Sequence, residues 1–379
     1  MLAATPCHVT QTTITSTRRT NALTPASSTN VNAKQWTSTL QRYRKPNLAR
    51  SVGEILITAL PFAGLWVVMW ASLAWSYWLT LLFALPAAGF LVRLFMIQHD
   101  CGHGSFFRNR RANDWVGRVL GVVTLTPYDH WRESHAVHHA TSGNLDHRGI
   151  GDIDTLTVRE YLSLSRWGRL RYRLYRNPAV MFGIGPAYLF LLKNRFPLPG
   201  RAGRRAWLST GLTNAAIAAI VVCVIWLLGV WSFMLVQLPI VLLAASIGVW
   251  LFYVQHQFEN TFWATQQNWT VHDAALHGSS HYDLPPVLQW MSANIGIHHV
   301  HHLCSRIPFY RLPSAVKDHP ALQNASKLTI AKSVKCVRLA LWHETEQRLI
   351  SFRELRGRAA AQRPSGDNAE ALRVRNHDA

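Results

Sequence analysis

Residues Asn294–Leu303 read NIGIHHVHHL, with four histidines in five positions around Val300. Neutral imidazole is a metal ligand before it is a core residue, so the stretch asks whether the chain offers matching groups elsewhere. It does. HDCGH supplies His99 and His103, and HAVHH supplies His135, His138 and His139. On a helix, residues three and four apart share a face. His99 and His103 can therefore serve one ion, and the i, i+3, i+4 spacing stacks His135, His138 and His139 on one stripe. His298, His301 and His302 repeat that pattern, which leaves His299 off the face.

The chain around these clusters is too apolar for an ordinary soluble enzyme. Of its 379 residues 49% are hydrophobic and 16 are tryptophan, yet 39 Lys+Arg against 19 Asp+Glu give a net charge of +20. Apolar blocks with a basic excess fit a membrane protein with cationic cytoplasmic parts. No fold signature of a nucleic-acid binder accompanies the charge. The five cysteines (Cys7, Cys101, Cys223, Cys304 and Cys336) are scattered, with no disulfide framework or CxxC pair, which suits a reducing compartment.

Apolar runs at 55–73 and 77–98 are joined by a very short turn, as are 207–228 and 231–254. Each approaches the ~20 residues needed to cross a bilayer, so the reading is two helical hairpins. Arg93 lies near the end of the second run, where its side chain is expected to snorkel to the headgroups. Val180–Leu192 is apolar but short, which predicts a helix lying in the interface. Residues 1–50 contain no acid, the first being Glu54, and read as a disordered basic tail. Residues 344–379 read as a second basic, solvated tail, leaving 51–343 as the membrane domain.

Topology ties these readings together. An even number of spans, two, separates the first two histidine clusters from the third, so all emerge on one face. The hairpin turns hold no Lys or Arg, whereas the segment 99–206 holds 17. By the positive-inside rule, both termini and the histidine face are cytoplasmic. The expected fold is an all-α integral membrane protein, four transmembrane helices in two hairpins beneath a cytosolic helical cap. So many imidazoles exceed the needs of one zinc; imidazole also suits iron, copper and nickel, which ligand type alone does not separate, and two irons are the economical reading. Asp100, Asp146, Asp152, Asp154, Glu259 and Asp273 lie near the clusters and are candidates to orient ring N–H groups.

With its boxes HDCGH, HAVHH and HHVHH in this order around two hairpins, the chain resembles integral-membrane fatty acid desaturases of the acyl-lipid, bacterial Δ12/omega type. The resemblance covers about residues 50–315 and extends to HDCGHGSFF, TPYDHW, HHATSGNLD, YVQHQFE and NIGIHHVHH. It implies a diiron centre held by the eight box histidines and by a ninth at the end of the fourth span, here His256. Acyl-CoA desaturases have four residues between the first-box histidines, and this chain has three. They also place an asparagine one turn before the ninth histidine, where Phe252 stands, so that ligand is not carried over. Alkane hydroxylases and carotenoid ketolases have three residues in the second-box gap, where this chain has two.

The activity implied is O2- and two-electron-dependent removal of two hydrogens from a fatty acyl chain, lipid-linked, in a bacterial inner membrane. The double-bond position implied is Δ12 or a neighbour. The sequence shows no haem-, flavin- or ferredoxin-like cysteine segment, so the expected electron donor is an external one such as ferredoxin, which a cationic face would steer. The alternatives are a diiron hydroxylase or ketolase and a non-catalytic metal-binding membrane protein. His130, His147, His272, His277 and His281 lie outside the boxes and are expected to be spectators.

Overall fold

Four long helices dominate the computed structural model, which describes residues 33–197 and 203–361. A short helix, α1 (Ala33–Leu40), precedes α2 (Leu48–Ser72) and α3 (Tyr77–His103). Next come α4 (Arg110–Val123), α5 (Tyr128–Thr141), α6 (Val158–Ser163), α7 (Arg166–Tyr175) and α8 (Gly185–Leu191). The second long pair is α9 (Arg204–Leu228) and α10 (Val230–His256), followed by α11 (Val271–His277), α12 (Pro286–Met291) and α13 (His298–Leu303). Helices α14 (Leu312–Asp318), α15 (Pro320–Gln323), α16 (Ile330–Cys336) and α17 (Phe352–Ala361) complete the set.

The four long helices, of 25 or 27 residues, run to about 38–40 Å at 1.5 Å per residue, more than the ~30 Å hydrocarbon layer. They correspond to the four expected spans, and each continues past its apolar run at one and the same end of the bundle. That end carries the start of α2 and α9 and the finish of α3 and α10. Asn47 caps α2 by accepting from the Arg50 amide at 2.9 Å. Gly104, at φ +65°, closes α3 one residue after His103 in a left-handed turn open to glycine at little cost. Gly229, at φ +84°, is the whole link between α9 and α10.

Packing ranks the helices. In its most apolar window α3 is 56% buried, whereas α9 is 6% buried and presents Leu208, Leu212, Val222 and Trp226 outward. The first forms the centre of the bundle and the second its lipid-facing flank. The π-helical turn Val180–Ile184 and α8 form one run of about 18 Å, too short to cross. Phe182 packs edge-on against Trp250 and Tyr253 of α10, and Ile184, Tyr188 and Leu192 form an exposed apolar stripe.

Three sequence expectations are corrected. Arg93 does not snorkel: it is 1% exposed and ion-paired with Glu54, also 1% exposed. Its guanidinium also donates to Thr58 Oγ1 (3.2 Å) and the Trp290 carbonyl, and lies 4.1 Å from the Trp290 ring centroid. Glu54, one residue before the apolar run, supplies the counter-charge that keeps an arginine inside the bundle. The tail assigned to 1–50 is folded from Ala33, because Trp36, Leu40 and Tyr43 fall on one helical stripe and are buried; residues 1–32 lie outside the described part. The tail assigned to 344–379 is folded to Ala361. There β4 (Leu339–His343) pairs antiparallel with β5 (Arg348–Ser351) and parallel with β1 (Leu156–Thr157), burying Leu341, Leu349 and Ile350. With β2 (His281–Asp283) beside β3 (Lys327–Thr329), the cap is mostly helical but not wholly so.

Glu54→Ala strands the Arg93 charge and is expected to destabilise the protein by about 3–5 kcal/mol, whereas Glu54→Leu with Arg93→Met recovers most of the loss. Thermal unfolding in detergent distinguishes the two.

Candidate metal centre

The extended ends of α3 and α10 place His99, His103 and His256 beyond the apolar runs, and α5 and α13 bring their own histidines against these. The turn entering α13 holds Ala293 and Asn294 at φ +51° and +57°, and Asn294 fixes it by donating to the Phe309 carbonyl at 3.2 Å. A Cβ at Gly296 would lie 2.5 Å from the Tyr282 carbonyl oxygen, so only glycine fits there. The Gln255 side-chain amide donates to the Ile295 carbonyl at 3.1 Å, tying this turn to the end of α10.

All nine histidines singled out from the sequence are brought together, in two groups. His99, His103, His135, His139 and His301 form the first; His138, His256, His298 and His302 form the second. In each, the ligating nitrogens lie within 4.8 Å of one another. The single stripes expected for the second and third boxes are in fact divided. The i, i+4 pair His135/His139 joins the first group and His138 the second. The pair His298/His302 joins the second group and His301 the first. His139 stacks on His302, centroids 4.1 Å apart, where the groups meet.

Nitrogen spacings in the groups test what could sit between them. Nε2–Nε2 distances are 3.1 Å for His103–His135, His135–His139 and His139–His301. They are 3.0 Å for His256–His298 and His298–His302. A neutral ring has one N–H, and a ring facing two others cannot give each a hydrogen bond. With metal–imidazole bonds of about 2.1 Å, neighbouring donors lie ~3.0 Å apart at right angles and ~3.4 Å apart in a tetrahedron. The spacings match the right-angled case, and five donors in the first group exceed zinc's usual four. His138 Nε2 is buried with no hydrogen-bond partner, as a nitrogen kept for an ion would be. These clusters can hold metal.

Burial sets the protonation state of the rings outside the long helices. Desolvation, reinforced by neighbouring imidazoles, holds His135, His139, His298, His301 and His302 well below the ordinary imidazole value. They are neutral at pH 7, the ligating form. Of six candidate carboxylates, two reach a ring nitrogen: Asp152 faces His138 Nδ1, and Asp100 faces His99 Nδ1 at 3.3 Å. The other oxygen of Asp100 accepts from the Phe309 amide at 2.7 Å. Asp146 accepts from the Gln266 amide, Asp273 from Thr270, Glu259 pairs with Arg348, and no histidine ring contacts Asp154 among the described residues.

Three neighbours escaped the sequence reading. Trp131 stacks on His135 at 4.6 Å, and its i−4 position could have revealed it. Gly102, inside the first box, leaves room for that indole, since a Cβ there would lie 2.8 Å from the ring. The Gly278 carbonyl accepts from His256 Nδ1 at 3.1 Å, a contact with no sequence signal. His130, His147, His272, His277 and His281 lie outside both groups. His299 is fully buried beside His281, its Nε2 2.8 Å from the Leu322 carbonyl.

Residues 76–332 match the family model described as "Fatty acid desaturase". The chain belongs to the fatty acid desaturase family. It is 46% identical to a "Fatty acid desaturase" of Bacillus subtilis over 340 residues, 90% of this chain and 96% of the relative. It is 28% identical to the Synechocystis "sn-1 acyl-lipid omega-3 desaturase (ferredoxin)", with 72% and 76% covered. It is 27% identical to an Anabaena variabilis "sn-1 oleoyl-lipid 12-desaturase", with 65% and 71% covered. The desaturase is thus a membrane oxidoreductase that puts a double bond into a fatty acyl chain, and its histidine groups lie where the four long helices end.

Asp152→Asn is expected to lower the affinity of the desaturase for its metal by about 10–100-fold, whereas Asp146→Asn leaves it unchanged. Elemental analysis after dialysis against graded chelator reads both.

Proposed function

We propose that the two histidine groups hold two iron ions and that the enzyme desaturates a lipid-linked acyl chain at the cytoplasmic face of a bacterial inner membrane. The observation that carries this is the pair of groups of five and four imidazoles, with right-angled nitrogen spacing, at the common end of the long helices. His99, His103, His135, His139 and His301 would hold one ion, and His138, His256, His298 and His302 the other. When bound, the irons would supply an O2-derived oxidant able to take hydrogen from an unactivated methylene pair, a task beyond side-chain acid–base groups.

The chain's own residues serve ligation and shielding. Asp152, Asp100 and the Gly278 carbonyl fix the outer nitrogens of His138, His99 and His256, which sets tautomer and ring direction. Trp131 covers His135, and Phe252 lies 5.2 and 5.4 Å from the His138 and His256 rings. These apolar faces keep water from the groups. Overall, a CH2–CH2 unit loses two hydrogens to O2, which with two further electrons and two protons becomes two waters. The electrons come from a small acidic redox protein such as ferredoxin, in keeping with the name of the Synechocystis relative and the +20 charge of this chain.

Lipid profiling of a desaturase-free bacterial host is expected to show new double bonds with the wild type and none with His301→Ala, with equal protein in the membrane fraction. Oxygenated acyl chains in place of unsaturated ones would count against the reaction as written. Electron transfer from purified ferredoxin is expected to slow steeply as salt rises from 50 to 500 mM, in about the manner of steered association; a salt-independent rate would remove the acidic-carrier reading.

A further inference from the structure

A cavity of about 600 Å³ opens where α2 begins and α4 begins, on the same end of the bundle as the histidine groups. Its wall carries three cations, Lys45, Arg108 and Arg311, next to apolar Leu48, Phe107 and Ala112, and no acid. Of the neighbouring arginines, Arg42 pairs with Asp318, Arg50 with Glu54 and Arg110 with Asp114, whereas Arg44 and Arg111 have no carboxylate partner among the described residues. Among the described residues Lys45, Arg108 and Arg311 have no carboxylate partner. Three unpaired cations around one concave volume is an arrangement for an anion.

Two further features give that anion a character. The N-termini of α2 (25 residues) and α4 (14 residues) open on the cavity through their caps, Asn47 and Asn109, and their dipoles add positive potential there. The level in the membrane is set by Leu48, 70% exposed, which starts the stripe Leu48, Val52, Leu56 and Leu60 running down the outer face of α2. The cavity therefore lies where the apolar surface stops, at headgroup height. Its walls are also bound to the metal-site scaffold: the Ser51 hydroxyl donates to the Phe106 carbonyl at 2.6 Å, and the Asn47 amide donates to the Tyr310 hydroxyl at 2.9 Å. Phe309, next to Tyr310, donates its amide to Asp100 of the first box.

We propose that this cavity binds the phosphodiester of a glycerophospholipid headgroup, with Lys45, Arg108 and Arg311 as its counter-charges, so that the attached acyl chain is the one presented for desaturation. The last clause rests on the lipid-linked reading above, whereas headgroup binding does not. A soluble phosphate ester, such as a coenzyme A thioester, offers the same anion without the glyceride, and the experiment separates the two sources.

The test is native mass spectrometry of the full-length protein in detergent, titrated with dihexanoyl-phosphatidylglycerol, dihexanoylglycerol, coenzyme A or inorganic phosphate. The phosphatidylglycerol is expected to bind tightest. Lys45→Gln/Arg108→Gln/Arg311→Gln is expected to weaken it on the order of 100-fold, about fivefold per cation lost, with thermal unfolding unchanged. Should the triple variant unfold, Arg108→Gln alone is expected to weaken binding by about fivefold and Arg108→Lys to restore it. Equal binding of the neutral glyceride, undiminished binding by the variants, or tighter binding of coenzyme A or phosphate would each overturn the proposal. Headgroup binding together with double bonds formed only on thioester-linked chains would keep the headgroup site and overturn the lipid-linked substrate reading.

Discussion

Mutual exclusion among lone pairs governs this structure. Nine imidazoles from four helices turn nitrogens toward two small volumes, at spacings too close for neutral rings that cannot all be donors. Nothing in the hydrophobic effect favours that arrangement, because buried polar atoms without partners are costly. The rest of the molecule can be read as the apparatus that holds it. Long helices carry three rings out past the apolar layer, a central α3 is more than half buried, and hydrogen bonds from Phe309, Gln255 and Asn294 tie down the segments that lie over them.

The same constraint explains where the sequence was legible. Imidazoles held on helices must recur at three- and four-residue spacing, and spans must be long and apolar, so both patterns survive in one dimension. His256 was less visible, being a single residue; only the resemblance to the desaturase family, which implies a histidine at the end of the fourth span, picked it out. The division of each box between two groups could not be seen, since it depends on which rings of other helices each imidazole meets, and a periodicity does not carry that. Asp100 and Asp152 were among six equivalent acids in the sequence, and only folding distinguishes them.

Composition misled where a few residues outweighed the average. Around Ala33–Tyr43 the chain is polar, yet Trp36, Leu40 and Tyr43 suffice to dock it. Beyond Glu344 arginine and glutamate suggest solvent, but Arg348 and Arg358 engage Glu346 and Glu354 in one network over the buried Leu349 and Ile350. Arg93 is the instructive case. A charge near the end of a span usually escapes to water; here it turns inward, because Glu54, Thr58 and the Trp290 ring and carbonyl together replace the water it would have sought.

The interleaving of the boxes has a mechanical corollary. Because α5 and α13 each give rings to both groups, neither can roll or slide to suit one without displacing the other. The two pockets thus behave as one lever with two ends. Filling either would stiffen its twin, so that occupancy would pass from none to both with little time spent between.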